Sequence, residues 1–331
     1  MNDLAIVGGG SWGTALAIAL SPNFRRIRIW VFEAAVAKRL QEERRNELYL
    51  PGFELPTNVE VSTSFEEVLS GVSFVIGVMP STHARNVYLS MRPHLTEDMT
   101  IVSATKGLEV SSLLRMSEVI EETLGDVSSR LVVMSGPSFA REVAAGCPTA
   151  IVAAAKNERA AALVQQAFSG RSFRLYTSRD TVGVEIGGAV KNVVAIGAGV
   201  CEGLGLGKNA LAALQTRGLA EMTRLAEASG GEARTLSGLA GLGDLILTCN
   251  GELSRNRMVG IELTKGRSVE EITRSTRMVA EGVSTTKAAV ELAWRRGVDM
   301  PIAEQMFAML YQGRPPRDAL RLLMERSLKQ E

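Results

Sequence analysis

The first thirteen residues constrain this chain most. LAIVG (4–8) reads as a short buried strand that runs directly into GGGSWG (8–13), where Gly8, Gly10 and Gly13 satisfy GxGxxG. SWGTALAIAL (11–20), small and apolar, follows as a helix. The glycine pattern alone is weak, but between a strand and a helix it points to a dinucleotide-binding turn. Gly8 allows the tight turn, Gly10 lets the backbone approach a pyrophosphate, and Gly13 lets helix and strand pack closely. The free amides at the helix start then face the anion. RIRIW (26–30) alternates as a second strand, and Glu33 follows its end, where an acid would bind adenosine ribose hydroxyls. The alternative for Glu33 is an exposed acid in a helix first turn.

The same alternation continues. A charged helix is expected at about 34–47, an irregular proline-rich stretch at 49–59 and a buried strand at FVIGVMP (74–80). TIVSA (100–104) and RLVVMSG (130–136) are further strands around an amphipathic helix at 113–124, and PTAIVAAA (148–155) and FRLYTS (173–178) look like the last two. Strands separated by helices imply βαβ units and a mostly parallel sheet. Beyond about 180 the strand signals stop. A long glycine-rich apolar helix (183–204) leads to amphipathic helices at 210–229, 283–297, 302–313 and 316–328. The fold class expected is α/β: a Rossmann-type, mostly parallel sheet domain over 1–179 and an all-helical domain over 180–331.

Composition narrows the function. Lysine plus arginine number 37 against 36 acids, a net charge of +1, so no global basic field holds nucleic acid or an anionic membrane. Cys147, Cys201 and Cys249 form no CxxC pair and suggest reduced thiols in a cytoplasm, filling core. Two histidines, His83 and His94, make a histidine-rich zinc site unexpected, and no metal is expected. The apolar runs are read as shorter than the roughly 18 residues of a membrane helix, and a strand so near the start leaves no room for a signal peptide.

Some second-half residues look chemical. Lys191 is the only charged residue between Ile186 and Cys201; it is either snorkelling to the surface or buried with its pKa lowered toward neutrality, which suits proton exchange. Asp244 is the single acid of GLAGLGDLILTC (238–249), a helix cap or a site residue. SRNR (254–257), beside a helix start, is a natural phosphate site or a solvated turn. Lys106 in ATKGLE (104–109) and the turn of SGPSFA (135–140) lie at carboxyl ends of strands, where open sheets bind ligands.

Together these motifs resemble the bacterial-type glycerol-3-phosphate dehydrogenases dependent on NAD or NADP. The resemblance covers nearly the whole chain. Besides those quoted, it includes NELYLPGFELPTN (46–58), SGPSFAREVAAGCPTA (135–150), GVEIGGAVKNVVAIGAG (183–199), TRGLAEM (216–222) and VAEGVSTT (279–286). It implies reversible reduction of dihydroxyacetone phosphate to sn-glycerol 3-phosphate, which supplies glycerophospholipid backbones, and a homodimer. It implies that Lys191 is the proton donor and acceptor and that Asp244 and Lys106 contact the substrate end. Gly136, Ser138, Ser254, Arg255 and Asn256 are also implied to bind substrate. Cofactor contacts carry over to Ser11, Trp12, Lys106, Ala140, Arg255, Val279 and Glu281.

The sequence departs from the family in places. Val31 and Phe32 follow Trp30 where a small residue and then arginine or histidine is usual, which removes the usual partner of an NADP 2′-phosphate. Lys208 replaces an acidic or small residue, and Asn250 and Gly251 replace a Thr–Ser pair; both changes are expected to be tolerated. The motifs leave two rival functions. One is a two-domain dehydrogenase of 3-hydroxy acids, which gives no reason for the whole SRNR and GLAGLGD set. The other is a non-catalytic dinucleotide sensor, which needs the glycines but not Lys191, Lys106 and Asp244 together.

Overall fold

The structure is a computed structural model that describes residues 2–275 and 280–327. Strands β1 (Asp3–Val7), β2 (Arg26–Trp30), β3 (Val59–Ser62), β4 (Phe74–Gly77), β5 (Thr100–Ser103), β6 (Leu131–Ser135), β7 (Thr149–Ala154) and β8 (Phe173–Ser178) form one sheet. Its order is β3-β2-β1-β4-β5-β6-β7-β8. The first six strands are parallel, and β7 turns antiparallel to β6 and pairs in parallel with β8. The order reverses between β1 and β4, which places a ligand crevice above their carboxyl ends.

Between the strands run α1 (Ser11–Leu20), α2 (Ala34–Glu43), α3 (Phe65–Leu69), α4 (Ala84–Met91), α5 (Met116–Leu124), α6 (Ala140–Ala144) and α7 (Glu158–Phe168). The central strands β1, β4, β5 and β6 are buried throughout, as expected when helices cover both faces, while β3 and β8 at the edges are partly exposed. On one face Phe24, Phe74 and Phe168 meet edge to face, with ring centroids 5.4–5.8 Å apart. On the other, Tyr88 and Met91 of α4 and Ile120 of α5 pack with Ile101 of β5.

Beyond the sheet lie α8 (Thr181–Gly203), α9 (Gly207–Ala228), α10 (Ala233–Leu236), α11 (Asp244–Asn250), α12 (Arg255–Thr264), α13 (Val269–Ser275), α14 (Glu281–Arg296), α15 (Pro301–Tyr311) and α16 (Pro316–Met324). The helix α8 is their axis. Asp180 caps it, accepting from the Gly183 amide at 2.7 Å. Almost every residue from Thr181 to Cys201 is buried.

Several expectations need correction. By length and composition α8 could cross a membrane, contrary to the sequence reading, but 94% of its apolar window is buried inside the protein. The helix expected to reach 47 stops at Glu43, because Arg44 adopts a left-handed conformation (φ 55°). β3 emerges from the end of the stretch read as irregular: VEVS is too short to stand out until β2 pairs with it. Cys147 is exposed rather than core-filling, since it sits in the turn before β7, whereas Cys201 and Cys249 are buried. Met306 and Met309 fill core.

Candidate active site

Lys191 lies midway along α8 and is 5% exposed. Its Nζ donates to Thr248 Oγ1 at 2.9 Å and to Asn192 Oδ1 at 3.3 Å, and stands 3.1 Å from Asp244 Oδ1. The other carboxylate oxygen of Asp244 accepts from Lys106 Nζ at 2.7 Å. Lys106 also donates to the Gly136 carbonyl at 2.9 Å, and that carbonyl accepts from Ser138 Oγ at 2.9 Å. One buried carboxylate therefore joins two lysines, one from each half of the chain. A glycine on α8 makes the approach feasible: a Cβ on Gly188 would lie against Ser135 Oγ, 3.7 Å from Lys106 Cγ.

Electrostatics follow from this geometry. Burial lowers the Lys191 pKa to about 8; Asp244 opposes that shift, and Lys106 adds to it. Two lysines on one carboxylate leave the cluster with positive charge, fit for an oxyanion or a phosphate.

Arg255 opens α12 directly after Ser254, whose side chain caps the helix by accepting from the Arg257 amide at 3.3 Å. Ser254 is buried while Arg255 keeps solvent contact. Desolvation by nearby protein pulls the Arg255 guanidinium pKa down, and Glu281 counters that. Asn256 is buried and engaged on both sides. It donates to Asn192 Oδ1 at 2.8 Å and accepts from the Gly282 amide at 2.9 Å. Its observed contacts therefore tie α8, α12 and α14 together.

The shape of the dinucleotide turn fits a pyrophosphate. Gly8 has φ +130°, and a Cβ there would sit 2.7 Å from the Val78 carbonyl oxygen. A Cβ on Gly13 would collide with the Gly8 carbonyl, whereas one on Gly10 would meet nothing within 4 Å. The turn is thus packed behind and open in front, as a pyrophosphate needs. No side chain caps the α1 N-terminus, which leaves its dipole and first amides for an anion. Ser11 Oγ donates to the Tyr49 carbonyl at 2.6 Å, and Trp12 packs against the sheet core. Ala140 begins α6. The Glu281 carboxylate begins α14 and reaches the loop after β4, accepting from Ser81 Oγ at 2.8 Å and the Ser81 amide at 3.3 Å. Burial pushes its carboxyl pKa up and the Ser81 bonds hold it down. Glu33 sits at the α2 N-cap position, exposed. Val279 lies outside the described residues. Among the described residues no cluster of three or more metal-ligating side chains occurs.

Thr248 and Asn192 join the site without having stood out in the sequence. Both carry a signal there: Thr248 is four residues from Asp244 on one helical face, and Asn192 adjoins Lys191. Gly251, a departure from the family pattern, lies where a Cβ would press on the Phe139 ring.

A Rossmann-type sheet that carries a GxGxxG turn, followed by a helical region with a buried lysine, is the plan of a class of nicotinamide-dependent dehydrogenases. The chain's matches narrow that class. The model of the NAD-dependent glycerol-3-phosphate dehydrogenase N-terminus matches residues 3–161, and that of the C-terminus matches 180–321. A glycerol-3-phosphate dehydrogenase (NAD(P)+) of Koribacter versatilis is 54% identical, with 98% of each chain covered. One from Syntrophotalea carbinolica is 49% identical, with 99% of each covered. The crystal structure of glycerol-3-phosphate dehydrogenase from Coxiella burnetii superposes with a TM-score of 0.94 at 38% identity, covering 98% of this chain and 99% of that one. The chain belongs to the NAD-dependent glycerol-3-phosphate dehydrogenase family.

Proposed function

We propose that this enzyme interconverts dihydroxyacetone phosphate and sn-glycerol 3-phosphate with NAD or NADP, supplying glycerophospholipid synthesis, and that Lys191 carries the proton. The observation that carries this reading is the Asp244 carboxylate shared between Lys191 and Lys106. The nicotinamide, when bound, supplies or accepts the hydride. In reduction, Lys191 as ammonium protonates the developing alkoxide; in oxidation, neutral Lys191 takes the hydroxyl proton. Lys106 stabilises charge on that oxygen, and Asp244 orients both lysines. Thr248 and Asn192 keep Lys191 aimed, with Asn256 behind Asn192. Gly136 and Ser138 frame the substrate end beside Lys106, and Arg255, beside the capping Ser254, holds the phosphate. The GxGxxG turn with Ser11 and Trp12, together with Ala140, Val279 and Glu281, holds the dinucleotide.

The direct test is to mix the purified protein with dihydroxyacetone phosphate and NADH or NADPH and follow the nicotinamide absorbance. No oxidation of either cofactor would sink the assignment. Residues 1–179 serve as the dinucleotide domain and 180–331 as the substrate domain in this reading, supported by a separate core around α8. We assign the enzyme to the cytoplasm, in keeping with its three free cysteines, and assign it a homodimeric state, which light scattering on the eluted protein checks.

Two predictions arise here. Reduction needs Lys191 protonated, so kcat/KM for dihydroxyacetone phosphate should fall as pH rises through about 8, whereas kcat/KM for glycerol 3-phosphate oxidation should rise through the same value. Initial rates from pH 6 to 10 check this, and parallel profiles in both directions would contradict it. Arg255→Ala should lower kcat/KM by about 10- to 150-fold, equivalent to losing a charge-assisted hydrogen bond of about 1.5–3 kcal/mol. Unphosphorylated dihydroxyacetone should lose far less, and equal fractional losses on both substrates would place Arg255 outside the phosphate site.

A further inference from the structure

The loop that carries Lys106 is held against α8 at both of its ends. It leaves β5 after Ser103 and enters α5 at Met116. Near its start the Lys106 stem passes over Gly188 of α8, where an added Cβ would lie 3.7 Å from Lys106 Cγ. At its far end stands Glu185, on the same helix and 6% exposed. Residues three apart on a helix are neighbours on its surface, so Glu185 and Gly188 offer the loop two adjacent seats, about 4.5 Å apart along the axis.

Glu185 gathers donors from the end of that loop. Its Oε1 accepts from the Ser117 amide at 2.7 Å, and its Oε2 accepts from Ser117 Oγ at 2.6 Å and from the Arg115 guanidinium at 2.6 Å. Ser117 is the second residue of α5, so a carboxylate of α8 covers an amide that a helix start leaves without an internal partner. A buried carboxylate is costly unless it is paired and hydrogen-bonded, and Glu185 is both. Loop donors, not Lys106 or Lys191, supply these bonds.

Between the two seats the loop is folded on itself. Leu108 and Arg115 form an antiparallel bridge, and the Glu109 amide donates to the Leu114 carbonyl at 2.9 Å. Leu108 and Leu113 lie in the apolar cluster with Ile186 and Val190 of α8. Holding Arg115 therefore holds Leu108, two residues from Lys106.

We propose that Glu185 is a positioning residue for the reaction: by clamping Arg115 and Ser117 to α8 it sets the register of the 104–115 loop, and with it the place of Lys106 Nζ beside Asp244 and Lys191. This rests on the dehydrogenase reading above, in which Lys106 stabilises the reacting oxygen. The Lys191 amine reports on any displacement. Lys106 helps to lower its pKa and Asp244 opposes that; Cys249, its further titratable neighbour, sits on α11 and not on the loop. A slipped loop withdraws Lys106 and leaves Asp244 to Lys191, so the Lys191 pKa rises. Deleting the Glu185 charge acts by itself in the opposite direction.

The test is a double-mutant cycle of Glu185→Gln with Lys106→Met, followed as glycerol 3-phosphate oxidation with NAD from pH 6 to 10. Glu185→Gln should lower kcat by about 10- to 100-fold, the scale of a small misplacement of a catalytic group, while the Kd for NADH without substrate stays within about twofold. Its kcat/KM midpoint should move up by about half a pH unit. In the Lys106→Met background the same substitution should cost less than about twofold, since groups acting as one unit are non-additive. If Glu185→Gln does not fold, Ser117→Ala carries the cycle: it removes one small donor, and its loss of about threefold should likewise vanish beside Lys106→Met. Additive losses in the cycle, no loss at all, or a midpoint in Glu185→Gln that is unmoved or lowered overturns the proposal. No turnover in the wild type, or near-full turnover in Lys106→Met alone, would overturn the dehydrogenase reading of the site and this proposal with it, whereas additive losses beside an impaired Lys106→Met remove only the role of Glu185.

Discussion

Lys191→Met is expected to fold and to bind dinucleotide as the wild type does, while losing about 10²–10⁴-fold in kcat. That range is what a positioned general acid or base contributes. Methionine keeps the length and apolar character of the stem, so the buried axis of α8 stays filled, and only the titrating nitrogen between Asp244 and Thr248 disappears. Removing the ammonium leaves Asp244 paired with Lys106, which should keep the carboxylate satisfied and the fold intact. The checks are the thermal midpoint, the NADH titration and steady-state kinetics in both directions. Near-full turnover in a folded, dinucleotide-binding variant would remove Lys191 as proton carrier.

Asp244→Asn is the more damaging change to the fold. It leaves Lys106 and Lys191 facing one another without the carboxylate that joins them. Breaking a buried pair by removing one partner typically costs about 3–5 kcal/mol, so a loss of that size is expected at pH 6. The loss should shrink at pH 9. Asp244 is what counters the burial-driven lowering of the Lys191 pKa; without it Lys191 releases its proton more readily, and at high pH an uncharged amine needs no counter-ion. Urea denaturation at the two pH values measures both effects. An unchanged midpoint at pH 6 would mean that the cluster carries no net electrostatic weight in folding. The same variant should lose turnover, because neither lysine is then oriented.

Much of the site is legible in the order of the residues. GxGxxG between a strand and a helix has few folded solutions, and Lys191 stands out because a lone charge in an apolar helix must find a partner. Asp244 and SRNR are legible as candidates rather than as a cluster. Their roles depend on which elements meet, and α8, α11 and the loop after β5 are far apart in the chain. Ser254 shows the limit: SRNR suits a phosphate site or a solvated turn, and the structure adds what neither alternative contains, a buried serine that caps α12 by accepting from the Arg257 amide. Asn256, implied by the family resemblance to bind substrate, also ties three helices together, which the sequence gives no sign of.

Local periodicity and short motifs are enough for the class of fold, the dinucleotide turn and the passage from sheet to helices near residue 180, and the ordered motifs carry the resemblance to the family. Such signals are carried by residues adjacent along the chain, so they survive without knowledge of long-range contacts. It took the assembled fold to settle that Lys191 is buried rather than snorkelling, that one carboxylate serves two lysines, that β7 reverses direction and that the Glu33 carboxylate accepts from the Tyr49 hydroxyl. Each depends on which side chains from distant segments come within hydrogen-bonding reach. Burial and charge coupling, which set the Lys191 pKa and the fate of every nearby cation, are properties of that packed neighbourhood and of no single stretch of chain.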